Sequence, residues 1–218
     1  MPQMAQPTDL TPTGWRPSPT DWDMIPGNEH VRRAIEIAFI GGHSIFIVGP
    51  RGSYAEDMAH FARGRGMRAY AAWPCACGRS TGEFCDTCGT NTQDEYIRSH
   101  YPPAGAVDIY IEARAEVGPR GPGEAWRNAV HRANDAAPWM NEDGAKMELD
   151  AAGVSLLRAA TAMLALDEDA CSRIKHVART IACAAHSEFI RTPHLAEAIQ
   201  YRPPAYVVTV TTPAKETD

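Results

Sequence analysis

The run Ile45-Phe46-Ile47-Val48 is wholly apolar and lies between Gly41-Gly42 and Gly49. A strand without a polar face must be buried on both sides, which demands neighbouring strands and helices above and below. The flanking residues supply such helices. Upstream, Val31, Ile35, Ala38 and Phe39 recur at helical spacing after Asn28, a candidate N-cap, and Gly41-Gly42 ends that helix. Downstream, Gly49-Pro50-Arg51-Gly52-Ser53 turns the chain into a helix over 54–63, with Met58, Phe61 and Ala62 facing inward and Gly64 and Gly66 closing it. The expected fold class is α/β, with a small parallel sheet carrying helices on both faces.

Arg68–Trp73 reads as a second strand. A third covers 107–112, where Val107, Ile109 and Ile111 alternate with Asp108, Tyr110 and Glu112, giving one polar face. Between them, Thr92-Gln-Asp-Glu95 fits a capping box that opens a short helix. Residues 118–123 are rich in Gly and Pro and read as a linker. The chain then turns helical, over about 124–137, 151–165, 168–187 and 193–201, with Asp150 and Thr192 as N-caps. Hydrophobic residues make up 44% of the chain, but 35 of them are alanine, which favours close-packed helices over a thick β core. Tyr206–Thr211 is β-prone; Tyr206–Val210 is a candidate to pair along an open sheet edge, the alternative being a disordered tail or a partner-bound strand. The first 22 residues, with five prolines and no periodicity, read as a disordered or surface-draped arm. The expected units are an arm (1–22), a core (23–117), a linker (118–123), a helical domain (124–202) and a tail (203–218).

Four of the six cysteines crowd together as Cys75-x-Cys77 and Cys85-x-x-Cys88. Such pairs present thiolates around one tetrahedral ion, and Gly78, Gly82 and Gly89 permit the turns, so the expected cofactor is structural zinc. Four thiolates leave no open position for catalysis. Cys171 and Cys183 fall on one helix, too far apart to bridge, and read as core. The net charge of −6 argues against a general nucleic-acid coat. Arg51, Arg63, Arg65 and Arg68 nevertheless cluster in sequence as candidate phosphate contacts, the commoner alternative being a solvated helix end. Trp126, Val130 and Ala133 form a stripe read as core. No apolar run approaches the length of a membrane span, and no basic region precedes an apolar one at the N-terminus, so the expected location is cytoplasmic.

PGNEHVRRAIEIAFIGGHSIFIVGPRGS resembles the P-loop region of the magnesium-chelatase-subunit-I-like AAA+ proteins, on the ComM/YifB branch. AAWPCACG with its second cysteine pair resembles that branch's cysteine loop. ELDAAGVSLLRAATAMLAL and SRIKHVARTIACAAHSEFIRTPHLAEAIQYR resemble its helical lid domain. The resemblance implies a ring-forming, Mg-ATP-dependent ancestry and a family sheet order of 5-1-4-3-2. The three strands found would be 1, 4 and 5, staying contiguous as 5-1-4 while strands 2 and 3 are missing from one edge.

Gly49, Gly52 and Ser53 keep the phosphate-binding turn, as a remnant not expected to bind. A working site follows it with Gly, Lys and Ser/Thr, for close backbone approach, a cation on the phosphates and a hydroxyl on Mg²⁺. Here Tyr54, Ala55 and Glu56 stand there. By the same resemblance, the acidic pair of the second strand is missing, Trp73 replaces the sensor Asn, Ala106 stands at the arginine finger and Asp169 at the lid arginine. The expected function is an inactive AAA+ interaction module, joining an active relative or itself, with no catalytic residue, no ATP or Mg²⁺ and no membrane partner. The rivals are a nucleic-acid-binding accessory protein and an ATPase with an unusual P-loop. The Glu56 carboxylate is expected to stand in partly for the missing phosphate at the helix N-terminus, the alternative being an ordinary favourable first-turn residue.

Overall fold

The computed structural model describes residues 22, 25, 27–79, 85–115, 126–141 and 148–211. The elements run α1 (Glu29–Gly41), β1 (Ile45–Val48), α2 (Ala55–Arg63), β2 (Ala69–Ala72), α3 (Thr90–His100), β3 (Ile109–Glu112), α4 (Trp126–Asn141), α5 (Ala151–Leu164), α6 (Glu168–Ala184), α7 (Thr192–Gln200) and α8 (Ala205–Thr211). The linker, residues 1–21 of the arm and the end of the tail lie outside the described residues. No described helix is long and apolar enough to cross a membrane.

The sheet is parallel, in the order β2-β1-β3. That is the contiguous order expected. Ile45 is level with Ala69 and Ile109, and Phe46 with Tyr70 and Tyr110. Because side chains alternate along a strand, this register sorts them into two cores. Ile45, Ile47, Ala69, Ala71 and Ile109 join the larger core, under α1, α2, α6 and α7. Phe46, Val48, Ala72 and Tyr110 join the smaller one, under α3 and α8. Tyr110 is 3% exposed, so the polar face expected of the third strand is covered at Tyr110 and open at Glu112.

The β-prone Tyr206–Thr211 is helix rather than strand. Its β-branched run lies within α8, which sets Val207 into the smaller core against Tyr96, Ile97 and Tyr101. Tertiary burial overrides β propensity here. The segment therefore covers a face of the sheet and leaves the β2 edge alone. At that edge Arg63 Nη1 donates to Ala69 O, 3.0 Å, while the opposite edge is met by Tyr201 O, which accepts from Tyr110 N at 2.7 Å. Other local expectations shift by a residue or two. α3 starts at Thr90 after Gly89, so Thr92 lies inside the helix. α7 is capped at Arg191, whose N–H donates to His194 Nδ1, with Pro193 in the first turn. Asp150 does cap α5, accepting from Gly153 N at 2.6 Å.

Trp22 is buried at 3% exposure although the sequence places it in the arm. It packs on Phe61 and Trp126, while the Arg32 guanidinium stacks over its ring and donates to Trp22 O. Trp126, partly buried, also meets Phe39 edge-on and packs against the larger core; of the expected stripe Val130 and Ala133 are likewise only partly buried, and the buried residues of α4 are Ala129 and Ala136. The helical part is continuous with the sheet layer: α6 and α7 contribute Val177, Ile181, Leu195 and Ala198 to the larger core. Glu36, on α1, is buried between Arg33 and Arg132, and Arg33 reaches Glu197 of α7 at 3.1 Å.

Candidate functional site

The glycine turn keeps a phosphate-loop backbone. A Cβ on Gly49 would stand 2.3 Å from Ser53 Oγ, and Gly52 has φ +83°, so both positions need glycine. Tyr54, which occupies the place of the pattern's last glycine, is held at φ 61° as the N-cap of α2. A tyrosine there pays a left-handed penalty of about 1–2 kcal/mol that glycine avoids. The loop and Trp73 enclose a cavity of about 310 Å³, into which Tyr54, Ala55, Glu56 and Asp57 are brought by the first turn of α2. Glu56 is 7% exposed. The first turn thus brings an alanine where a phosphate-binding helix would offer a lysine, and a carboxylate where it would offer a hydroxyl.

The cysteine loop packs directly on this turn. Arg51 N donates to Gly78 O at 2.8 Å, and the Arg51 guanidinium lies 4.3 Å over the Trp73 ring. Gly78, at φ +67°, has no room for a side chain: a Cβ would meet Arg51 Nε at 2.8 Å. Behind it, buried Gln93 donates to Pro74 O and Tyr101 to Trp73 O.

The four Sγ atoms of Cys75, Cys77, Cys85 and Cys88 lie within 4.8 Å of one another and could hold a metal ion. Cys75 Sγ is 3.0 Å from Cys77 Sγ and 3.4 Å from Cys85 Sγ. Four sulfurs at the Zn–S bond length around a tetrahedral ion are about 3.8 Å apart, so these spacings bracket what such an ion requires. Cys75 and Cys85 are buried and Cys77 and Cys88 partly so, which describes a closed centre. Hydrogen bonding from Cys75 pulls the Cys77 thiol down to about 6, while sharing with Cys77 pushes Cys88 up to about 12.

The four arginines do not form one surface. Arg51 stands at the carboxyl end of the strands. Arg63 ends α2, and Arg65 and Arg68 lie between it and β2, at the other end of the sheet. Arg65 lies 3.4 Å over the Phe61 ring, and Arg68 pairs with Asp108 at 3.8 Å. Cys183 is buried, donating to Trp139 O, and Cys171 is half-buried against Thr161, in keeping with core roles.

Asn28 has a role that the sequence does not announce. Instead of capping α1, it adopts φ 53° and turns its side chain across the site. Nδ2 donates to Ser53 O at 3.2 Å and to Arg114 O at 3.0 Å, while Oδ1 accepts from Arg114 N at 2.8 Å. One amide therefore ties the glycine turn to the exit of β3. Nothing in residue spacing signals this, because its partners are 25 and 86 residues away. The only hint is Gly27-Asn28, a pair that tolerates left-handed backbone.

Residues 21–64 match the family model for magnesium chelatase subunit ChlI, and residues 123–202 match the model for its C-terminal part. Together they cover more than half of the chain. No curated protein matches it.

Proposed function

The chain belongs to the magnesium-chelatase-subunit-ChlI-like family, and we propose that it is a catalytically silent AAA+ member that serves as a structural or regulatory interaction module. The observation that carries this reading is the start of α2. Phosphoryl transfer depends on positioned positive charge, from a lysine on the phosphates and a metal held by a hydroxyl and a carboxylate. Here the phosphate-loop backbone leads into Tyr54, Ala55 and the buried carboxylate of Glu56. Glu56 would repel a nucleotide phosphate from the same helix N-terminus that otherwise attracts one.

The family match pauses after residue 64, at the end of α2, and resumes at 123. We read the interval as a shortened core on the ComM-like branch, with a zinc-bound cysteine loop beside the turn. Zinc bound by four thiolates would be structural. The partner would be another AAA+ subunit, either an active relative or a second copy. Support for this comes from α5, which is apolar yet leaves Val154 42% and Met163 84% exposed.

Calorimetric titration of the metal-replete full chain with ATP and ADP, with and without Mg²⁺, tests the reading. Neither nucleotide should bind at millimolar concentration, and no phosphate should be released. Micromolar binding, or Mg-dependent phosphate release, would overturn it in favour of a nucleotide-using protein.

A further inference from the structure

A second cavity at the carboxyl end of the sheet adjoins the phosphate-loop cavity and shares Gly49 and Pro50 with it. It lies on the other face of β1, has a volume of about 670 Å³ and is walled by Tyr110, Glu112, Arg114, Gln200, Arg202 and Tyr206. Its place is topologically special. The chain leaves β1 for β2 on one side, while β3 lies on the other, so the crevice between the ends of β1 and β3 is the switch point of the sheet. In open parallel sheets small ligands bind in that crevice. The volume is within the range of small-molecule sites.

The wall is pre-organised. The Asn28 amide fixes the backbone of Arg114 from both its N–H and its C=O. His30 Nε2 lies 2.8 Å from Glu112 O and steadies the same strand end. Arg202 Nη1 donates to Ile199 O at 3.2 Å, which holds its guanidinium beside α7. The Tyr110 and Tyr206 hydroxyls both stand 3.5 Å from Glu112 Oε1. Desolvation pushes the Glu112 carboxyl above its ordinary range, against the pull of those hydroxyls and of Arg114. The charged residues that line the cavity are two arginines and one glutamate, and its body is aromatic and prolyl, from Tyr110, Tyr206, Pro50, Pro74 and Pro204.

We infer that this crevice is a binding site for a small organic anion, a carboxylate or phosphate carried on a planar apolar body. The body would stack on the tyrosines, and the anion would meet Arg114 and Arg202. The site does not depend on the phosphate loop being silent.

A fluorescence titration of the full chain with anilinonaphthalene sulfonate, an aromatic anion, reads the site directly. Saturable enhancement is expected, displaced by phenyl phosphate if the natural anion is a phosphate and by phenylacetate if it is a carboxylate. Arg114→Gln should weaken the dye at least about tenfold, the usual loss for one charge-assisted contact. Arg202→Gln should do the same. Arg173→Gln, in the separate apolar groove between α6 and α8, should change nothing. Dye binding that neither competitor displaces, that survives both Arg114→Gln and Arg202→Gln, or that never saturates would overturn the proposal.

Discussion

Ala165 ends α5 at φ 50°, with its side chain exposed and its N–H donating to Thr161 O. A left-handed C-cap suits glycine, so Ala165→Gly should stabilise the protein by about 1 kcal/mol, read from chemical denaturation. Tyr54 is the less simple case, because its half-buried ring also packs on the larger core. Asp108 offers a pH test. Burial pushes its carboxyl up, but Ser44 N at 2.8 Å, Ser44 Oγ at 2.7 Å, His43 and Arg68 together hold it below the ordinary value. The folded state thus releases this proton more readily than the unfolded chain. The stabilisation is complete above the unfolded-chain pKa, near ~4, and is lost as pH falls through the lower folded value. Asp108→Asn should cost about 1–2 kcal/mol at neutral pH. It should also flatten the acid limb of the stability curve, and an unchanged limb would reject the assignment. Asp150 was legible as a cap because its carboxylate accepts from an N–H only three residues ahead. Asn28 and Asp108 were not, since each bonds across the sheet to partners far along the chain.

The cysteine loop brings together four thiols that could hold a metal ion. Binding free energy of a closed thiolate site becomes folding free energy of the segment that carries it. Chelation should therefore lower the melting temperature, and Cys85→Ser should cost about 2 kcal/mol or more. The cobalt-substituted wild type should show thiolate charge-transfer absorbance that the variant lacks. A melting temperature that chelators leave unmoved would remove the metal from the account. The loop was readable from spacing alone, because ligands close in sequence are held close by short turns. The end of the chain was misread for the opposite reason. Tyr206-Val-Val-Thr-Val has strand propensity, yet as α8 it places Val207 at 2% exposure in the smaller core. Six residues of local preference, Tyr206–Thr211, lose to the apolar face left by Phe46, Val48 and Tyr110.

At the scale of the molecule, the helical part and the sheet layer are joined by charge as well as by apolar burial. Glu36, 5% exposed at its side chain, accepts from Arg33 and Arg132, and Arg33 continues to Glu197, which accepts from Tyr201 Oη at 2.9 Å. Removing a buried partner leaves charge uncompensated, though the two arginines, each about one-third exposed, regain some water. Glu36→Ala should cost about 2 kcal/mol in chemical denaturation. If α7 is tied to α1 through this network, its amides should also lose hydrogen-exchange protection in the variant, while β1 stays protected.

The sequence by itself determined the α/β class, the buried β1 strand, the glycine turn, the cysteine pairs and the helical run that follows the linker. All of these are written in short-range periodicity, turn chemistry or ligand spacing, which act over a few residues. The tertiary structure decided what depends on partners distant in the chain: that Tyr110 faces a core, that Tyr206–Thr211 coils into a helix over it, that Arg51 is separated from the other arginines, and that Glu112, Arg114, Arg202 and Tyr206 meet around one crevice. Parallel strands bring their ends together from segments scores of residues apart. The chemistry of such an end is set by register and topology, and neither has a local signature.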